Sequence, residues 1–160
     1  MADIIVCIFL FILLIGSICD VKSFEIPNWV SVLATCLFIP ASLWLQFPAT
    51  QIILHIGTGI TVLIVGFVIY AAGWMGGGDV KMIAASSIWF GFSELPTFLF
   101  LVSLVGGVLA ILLFVFRKMR LAGVWARVSW IQNLHREEGI PYGVAISTGA
   151  ILAYPQLVPL

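Results

Sequence analysis

The longest stretch without an acidic or basic side chain covers residues 26–78 and reads IPNWVSVLATCLFIPASLWLQFPATQIILHIGTGITVLIVGFVIYAAGWMGGG. At about 1.5 Å per residue, one helix of this length would be more than twice as long as the hydrocarbon core of a bilayer is thick. The polar, turn-forming segment QFPATQ at residues 46–51 divides the stretch. The sequence therefore predicts two membrane-spanning helices here, at residues 29–45 and 52–73.

The composition of the whole chain excludes a water-soluble fold. Counting glycine and leaving out tyrosine, 112 of the 160 residues, or 70%, are apolar, against about 45–50% in soluble proteins. Seven basic and seven acidic residues cancel, and no dense run of Lys and Arg indicates a nucleic-acid partner. The three cysteines form no C-x-x-C pair, so we expect neither a structural zinc site nor a disulfide framework.

Four further helices are predicted from the other apolar stretches, at residues 4–19, 80–92, 97–116 and from residue 140 to the C-terminus. Residues 93–96, Ser-Glu-Leu-Pro, supply the turn between the fourth and fifth helices. The first stretch is interpreted as a retained helix because Asp3 stands where a signal peptide carries Lys or Arg. We therefore expect an all-α integral membrane protein with six transmembrane helices, forming a single polytopic domain over residues 1–160.

All seven basic residues fall on one side of this arrangement: Lys22 in the first connection, Lys81 just after the third, and five in the last connection. The positive-inside rule makes these connections cytoplasmic and places both termini outside. The last connection also has apolar residues at helical spacing, at Leu121, Val124, Trp125, Val128 and Ile131. This spacing predicts an amphipathic helix on the cytoplasmic surface; the alternative is a basic loop that only sets the topology.

Two acidic residues are candidates for chemistry because charge at membrane depth is costly. Asp20 ends the first helix and Asp79 begins the fourth, so the alternating directions of the helices place both near the cytoplasmic face. Repulsion and desolvation disfavour two adjacent ionised carboxylates, so a close pair would share a proton and act as base and acid on one water. The expected chemistry is amide hydrolysis without a metal or a cofactor. The alternative is that both are helix-boundary residues, with Asp79 as an N-cap.

Three motifs resemble those of the type IV prepilin peptidases, which are intramembrane aspartyl proteases. The segment from Gly76 through Gly78 and Asp79 to Met82 resembles their G-x-G-D-x-K-[ML] motif, and residues 20–28, DVKSFEIPN, resemble D-x-[KR]-x-x-x-I-P-N. Residues 141–145, PYGVA, are similar to P-[YF]-G-x-A at the start of the last helix. The resemblance covers essentially the whole chain and implies that Asp20 and Asp79 form the catalytic pair.

The same resemblance implies a substrate and a location. The substrate would be a prepilin or pseudopilin, cleaved at the cytoplasmic face of the bacterial inner membrane. The paired C-x-x-C motifs of the long family members are not found in this sequence, which resembles the short form of tight-adherence, Flp-type pilus systems, so methylase activity is not expected. The alternatives are an archaeal preflagellin-type peptidase and a small transporter subunit in which two intramembrane acids relay protons. The sequence does not indicate an oligomeric state.

The remaining candidate residues lie within the three motifs. Lys22 and Lys81 each follow an aspartate by two positions, which on a helix points them about 200° away from it; they either reach the headgroups or orient substrate. Pro141, Tyr142 and Gly143 are candidates for the wall of the cleft. The run of glycines at residues 76–78 lets the backbone take positive φ and leaves room for an extended chain beside it; the alternative is a plain turn.

Overall fold

The computed structural model describes residues 2–118, 128–136 and 139–153, and the regular structure of these residues is entirely helical. The helices are α1 (Ala2–Ser23), α2 (Asn28–Trp44), α3 (Ala49–Ala71), α4 (Gly77–Lys118), α5 (Ser129–Arg136) and α6 (Tyr142–Leu152). The prediction of an all-α protein is confirmed. Proline stands directly before α2, α3 and α6, at Pro27, Pro48 and Pro141, where its missing N–H removes no helical hydrogen bond.

Three helices in the described part of the chain are long and apolar enough to cross a membrane: Ile4–Ser23, Ala49–Ala71 and Gly77–Lys118. The helices α2 and α6 are apolar but shorter. The count of six spans and the external position of both termini stay predictions. Residues 121–127 of the predicted amphipathic loop helix lie outside the described residues, and α5 occupies the later part of that loop. The C-terminal residues 154–160, the end of the last predicted span, also lie outside the described residues.

Helix α4 contains one sharp bend, at Gly91, where φ is 64° and ψ is −176°. The predicted position of the turn, at residues 93–96, is wrong, because these residues are helical and Pro96 lies inside the helix. Glycine adopts a positive φ at little cost since it has no Cβ. His55 Nδ1 donates a hydrogen bond of 2.7 Å to the carbonyl of Ile88, three residues before the bend. The bend separates a buried first segment of α4 from a longer second one.

The first segment of α4 lies at the centre of the bundle. Every residue from 82 to 91 is buried, and α4 packs against α2, α3 and α6. Helix α1 packs against α2 and α6 on the other side. The outer surface carries large exposed apolar side chains, which on α3 include Ile53, Leu54, Ile64, Phe67 and Val68. Apolar exposure on this scale suits a lipid environment rather than water.

Helix α6 approaches α4 closely at Gly149. A Cβ at this position would lie 2.9 Å from the backbone nitrogen of Val102, so glycine is needed for this contact. Small residues of this kind let membrane helices pack backbone to backbone. The contact holds α6 in the bundle, and its N-terminal end then lies against α1.

Candidate active site

Two acidic side chains from distant parts of the chain line one cavity of about 300 Å³. The cavity lies where α1 ends and where α2 and α4 begin. Its walls consist of Asp20, Phe24, Glu25, Ile26, Asn28, Gly76, Gly77, Gly78 and Asp79. All of these residues belong to the motif at residues 20–28 or to the motif at residues 76–82. The structure therefore brings the two motifs together around a space large enough for water and a section of peptide chain.

Asp20 lies on the last turn of α1 and is almost fully enclosed, with 4% of its surface exposed. It shares the buried face of the helix with Leu13 and Ser17, because residues three and four apart stand above one another on a helix. Its Oδ2 atom accepts a hydrogen bond of 2.7 Å from the backbone N–H of Gly143 at the start of α6. This bond gives the carboxyl group a defined orientation beside the cavity.

Asp79 is the third residue of α4 and is half-buried. An acidic side chain is favoured at this end of a helix because the unpaired N–H groups there carry partial positive charge. The backbone of Gly76 lies against the carboxyl group, so that a Cβ on Gly76 would be 2.8 Å from Oδ2 of Asp79. Asp79 is thus more exposed than Asp20, with which it lines the same cavity.

The glycine run before Asp79 does not use the positive φ that glycine allows. Among the described glycines, positive φ occurs at Gly73 and Gly91. What these glycines provide is space: a Cβ on Gly78 would lie 3.1 Å from the Cβ of Ile26. The absence of side chains lets the start of α4 approach both the Asp79 carboxyl group and the chain that leads into α2.

None of the three candidate residues of the third motif is among those that line the aspartate cavity. Gly143 is buried and contacts Asp20 through its N–H group, and Pro141 is buried directly before α6. Tyr142 points elsewhere: it packs against Gly106 of α4, whose Cβ would lie 3.3 Å from its ring, and it lines a separate cavity between α3 and α4. Of these three candidates, Gly143 is the one that bonds to an aspartate.

The two lysines of the motifs, Lys22 and Lys81, are exposed, and neither is among the residues that line the aspartate cavity. Lys81 Nζ donates a hydrogen bond of 2.9 Å to Oδ1 of Asn28, which joins the first turns of α4 and α2. Lys81 also borders an apolar groove between α2, α3 and α4 rather than the aspartate cavity. The observed hydrogen bond of Lys81 therefore joins two helices. Neither predicted role, reaching the lipid headgroups or orienting the substrate, included this bond.

Sequence reasoning missed three residues next to this site. Phe24 has a positive φ of 55° and lines the cavity; this left-handed conformation, uncommon for a bulky residue, turns the chain at the end of α1. Ser17 and Ser147 are buried and bond to each other. Single serines in apolar helices carry no distinctive signal. Their spacing was the available signal: Ser17 precedes Asp20 by three positions and Ser147 follows Gly143 by four, so each serine shares a helix face with a motif residue.

The arrangement is suited to chemistry on a water molecule. Two carboxyl groups in contact with the same small cavity can divide the tasks of base and acid, provided that they hold one proton between them. The cavity lies among the ends of three helices, α1, α2 and α4. Asp20 is held rigidly by a backbone donor, whereas Asp79 is flanked by glycines that leave room for a substrate chain.

The comparison with protein families identifies the chain. Residues 7–111 match the type IV leader peptidase family, and this region contains Asp20, Asp79 and about two thirds of the sequence. A search of curated proteins and a search of solved structures find no match. A match to a peptidase family does not favour the alternative that the chain is a transporter subunit. Two motifs that meet at one cavity and a family match across most of the described helices lead to one conclusion: the chain belongs to the type IV leader peptidase family.

Proposed function

We propose that this protein is an intramembrane aspartic endopeptidase that removes the leader peptide of type IV, Flp-type prepilins or pseudopilins. Asp20 and Asp79 are its catalytic pair. The observation that carries the proposal is that these residues line the same small cavity although they come from different helices. Family membership supplies the reaction class, a leader peptidase, and two carboxyl groups supply the chemistry.

In the proposed reaction the pair holds one proton around a water molecule. The ionised carboxylate takes a proton from the water, whose oxygen attacks the scissile carbonyl carbon to form a tetrahedral intermediate. The protonated carboxyl group then donates its proton to the amide nitrogen, and the C–N bond breaks. The products are a free carboxylate on the leader and a free amine on the mature protein. No covalent enzyme intermediate and no metal ion takes part.

The site faces the cytoplasm in this proposal, and the protein crosses the bacterial inner membrane six times with both termini outside. The bend at Gly91 would allow α4 to supply two of the six spans, one on each side of it. Lys22 and Lys81 lie within two positions of the aspartates, and by the positive-inside rule they favour a cytoplasmic position for this end of the bundle. The whole chain would act as one polytopic domain.

The substrate proposal rests on charge and on the cysteines. Glu25 is exposed and lines the aspartate cavity, where its charge would attract the basic leader of a prepilin. The Flp-type assignment follows the resemblance to the short family members, in which the paired C-x-x-C motifs are not found. Pro141 and Tyr142, candidates for the wall of the cleft, are not among the residues that line the aspartate cavity, and the proposal gives them no direct contact with the substrate.

The proposal is tested by co-expression of the protein with candidate prepilins, including one of the Flp type. Cleavage is followed by electrophoretic mobility and by N-terminal sequencing of the product. We expect a new N-terminus at the end of the leader, and no processing when Asp79→Asn replaces the wild type. The matched control is Glu94→Gln, an acid in the same helix beyond the bend. Failure to process any prepilin in correctly inserted protein would reject the substrate assignment.

A further inference from the structure

Both backbone polar groups of Gly143, the N–H and the carbonyl on either side of its Cα, form hydrogen bonds with residues of α1. Its N–H donates to Oδ2 of Asp20 at 2.7 Å, and its carbonyl oxygen accepts a hydrogen bond of 2.7 Å from Oγ of Ser17. Ser17 and Asp20 are three positions apart and project from the same face of α1. One backbone unit at the start of α6 therefore connects an aspartate with a buried hydroxyl group one turn away.

A second hydroxyl completes this arrangement. Oγ of Ser147 lies 2.6 Å from Oγ of Ser17, and these side chains are 1% and 6% exposed, respectively. A hydroxyl group has one proton to donate and can accept two. If Ser147 donates to Ser17, the Ser17 proton is free to point at the Gly143 carbonyl, and both short distances are explained. The bonds of these serines within their own helices, from Ser17 to the carbonyl of Leu13 at 3.1 Å and from Ser147 to the carbonyl of Val144 at 3.2 Å, are the longer alternatives.

This pattern differs from that of other buried serines in the described bundle. Ser86 and Ser87 are also fully buried, but their hydroxyl groups donate within α4, to the carbonyls of Met82 and Ile83, each at 2.8 Å. Such bonds to the preceding turn are the common behaviour of serine in an apolar helix. Ser17 instead bonds across to another helix, at the backbone unit that binds the aspartate.

We propose that Ser17 and Ser147 are positioning residues for the reaction, and that they act on Asp20 through the backbone of Gly143. The inference rests on the proposed function. Ser17 and Ser147 lie behind Asp20, not among the residues that line the cavity, so they touch neither water nor substrate. They hold the start of α6 at the distance at which the Gly143 N–H fixes Oδ2 of Asp20. Without them Asp20 can turn away from the bound water.

The effect should appear in the chemical step and not in substrate binding. Loss of one interhelical hydrogen bond, with a small shift of the Asp20 carboxyl group, should lower kcat about five- to tenfold. KM should stay within about twofold, because the residues lining the cavity are unchanged. Ser17→Ala and Ser147→Ala should behave alike, and the double variant should be little worse than either single one, since both remove the same connection.

The experiment compares kcat and KM per folded enzyme, in detergent or liposomes, for Ser17→Ala, Ser147→Ala and the double variant. Ser86→Ala is the matched control, because it removes an equally buried hydroxyl group that bonds only within its own helix. Ser17→Thr keeps the hydroxyl group and should recover most of the lost kcat. Thermal unfolding measures the folded fraction, so a loss of folding is separated from a loss of turnover.

Three results would overturn the inference: kcat values of the Ser17 and Ser147 variants equal to that of Ser86→Ala, an effect on KM alone, or loss of folding in both alanine variants, which would make the hydroxyl pair purely structural. The proposed function is tested separately by Asp20→Asn and Asp79→Asn. If these are inactive while Ser17→Ala has normal kcat, only the positioning role is wrong. If the asparagine variants remain active, the catalytic pair itself is wrong.

Discussion

The backbone N–H of Gly143 donates a hydrogen bond of 2.7 Å to Oδ2 of Asp20, and so joins residues 123 positions apart. The bond ties the last described helix, α6, to the end of the first. It also lies beside the cavity that Asp20 shares with Asp79. The geometry of the candidate catalytic pair thus depends on a helix that contributes no side chain to that cavity.

The first prediction concerns the two aspartates. Asp20→Asn and Asp79→Asn should each reduce prepilin cleavage by about 10²–10⁴-fold, because asparagine has the same shape but cannot exchange the proton. The double variant should be no worse than either single one, as expected for groups that act as a unit. Cleavage rates of membrane-inserted protein measure this directly.

Controls for this prediction use other charged residues. Glu25→Gln should retain most activity at saturating substrate, because Glu25, exposed at the edge of the cavity, attracts the leader in the proposal but takes no part in proton transfer. Lys81→Ala should cost less activity than either aspartate change, because its bond is to Asn28. Substantial cleavage by either asparagine variant would reject the aspartyl mechanism.

The second prediction concerns space at the start of α6. A Cβ on Gly143 would lie 2.9 Å from Oδ2 and 3.1 Å from Cβ of Asp20. Gly143→Ala should therefore displace the Asp20 side chain and lower kcat by about 10²-fold, the usual effect of a misplacement near 1 Å. Gly107→Ala is the matched control, since its Cβ would meet nothing within 4 Å. Equal activity of the two variants would show that the close approach at Gly143 is unimportant.

The third prediction concerns stability at the bend of α4. Gly91 has a φ of 64°, and a Cβ there would lie 2.7 Å from Nε2 of His55. Gly91→Ala should lower the free energy of unfolding by about 1–3 kcal/mol, because alanine is strained at positive φ and also collides with the ring. Thermal unfolding in detergent tests this against Gly57→Ala, whose Cβ would lie in open space. A Tm for Gly91→Ala at or above that of the control would contradict the prediction.

The fourth prediction concerns topology. Single cysteines at positions 48, 94 and 160, in a chain without its native cysteines, should react with a membrane-impermeant thiol reagent from outside the cell. A cysteine at position 125 should react only after the membrane is opened. In the predicted topology this position lies on the same side of the membrane as every Lys and Arg of the sequence, and that side is the cytoplasm. Labelling of position 48 or 94 only from the cytoplasm would refute the six-span arrangement.

The fifth prediction concerns cofactors. Purified protein should cleave a prepilin at an undiminished rate in excess chelator and without a methyl donor, because the proposed chemistry needs only two carboxyl groups and water. The measurement is the rate of product formation before and after metal removal. Loss of cleavage that zinc restores would move the assignment to a metalloprotease.

The sequence by itself predicted the helices and the candidate pair of residues. Helix ends were close to their observed positions at Pro27 and Pro48, because proline and polar segments interrupt helices locally whatever the tertiary packing. Asp20 and Asp79 stood out because charge is rare in apolar segments. The sequence predicted that both aspartates lie at the same end of the bundle, because successive helices were expected to alternate in direction. That prediction depends only on the number of helices between the two residues.

Tertiary structure alone decided how the site is held together. Whether the chain turns at Gly91 or at residues 93–96 depends on what packs beside it, and His55 of α3 occupies that place. The glycines at 76–78 are compatible with either positive φ or close packing, and only the position of Ile26 and of the Asp79 carboxyl group distinguishes them. The bonds among Ser17, Gly143 and Ser147 join α1 to α6. Contacts between residues so far apart in sequence leave no periodic pattern, because each depends on the relative placement of two whole helices.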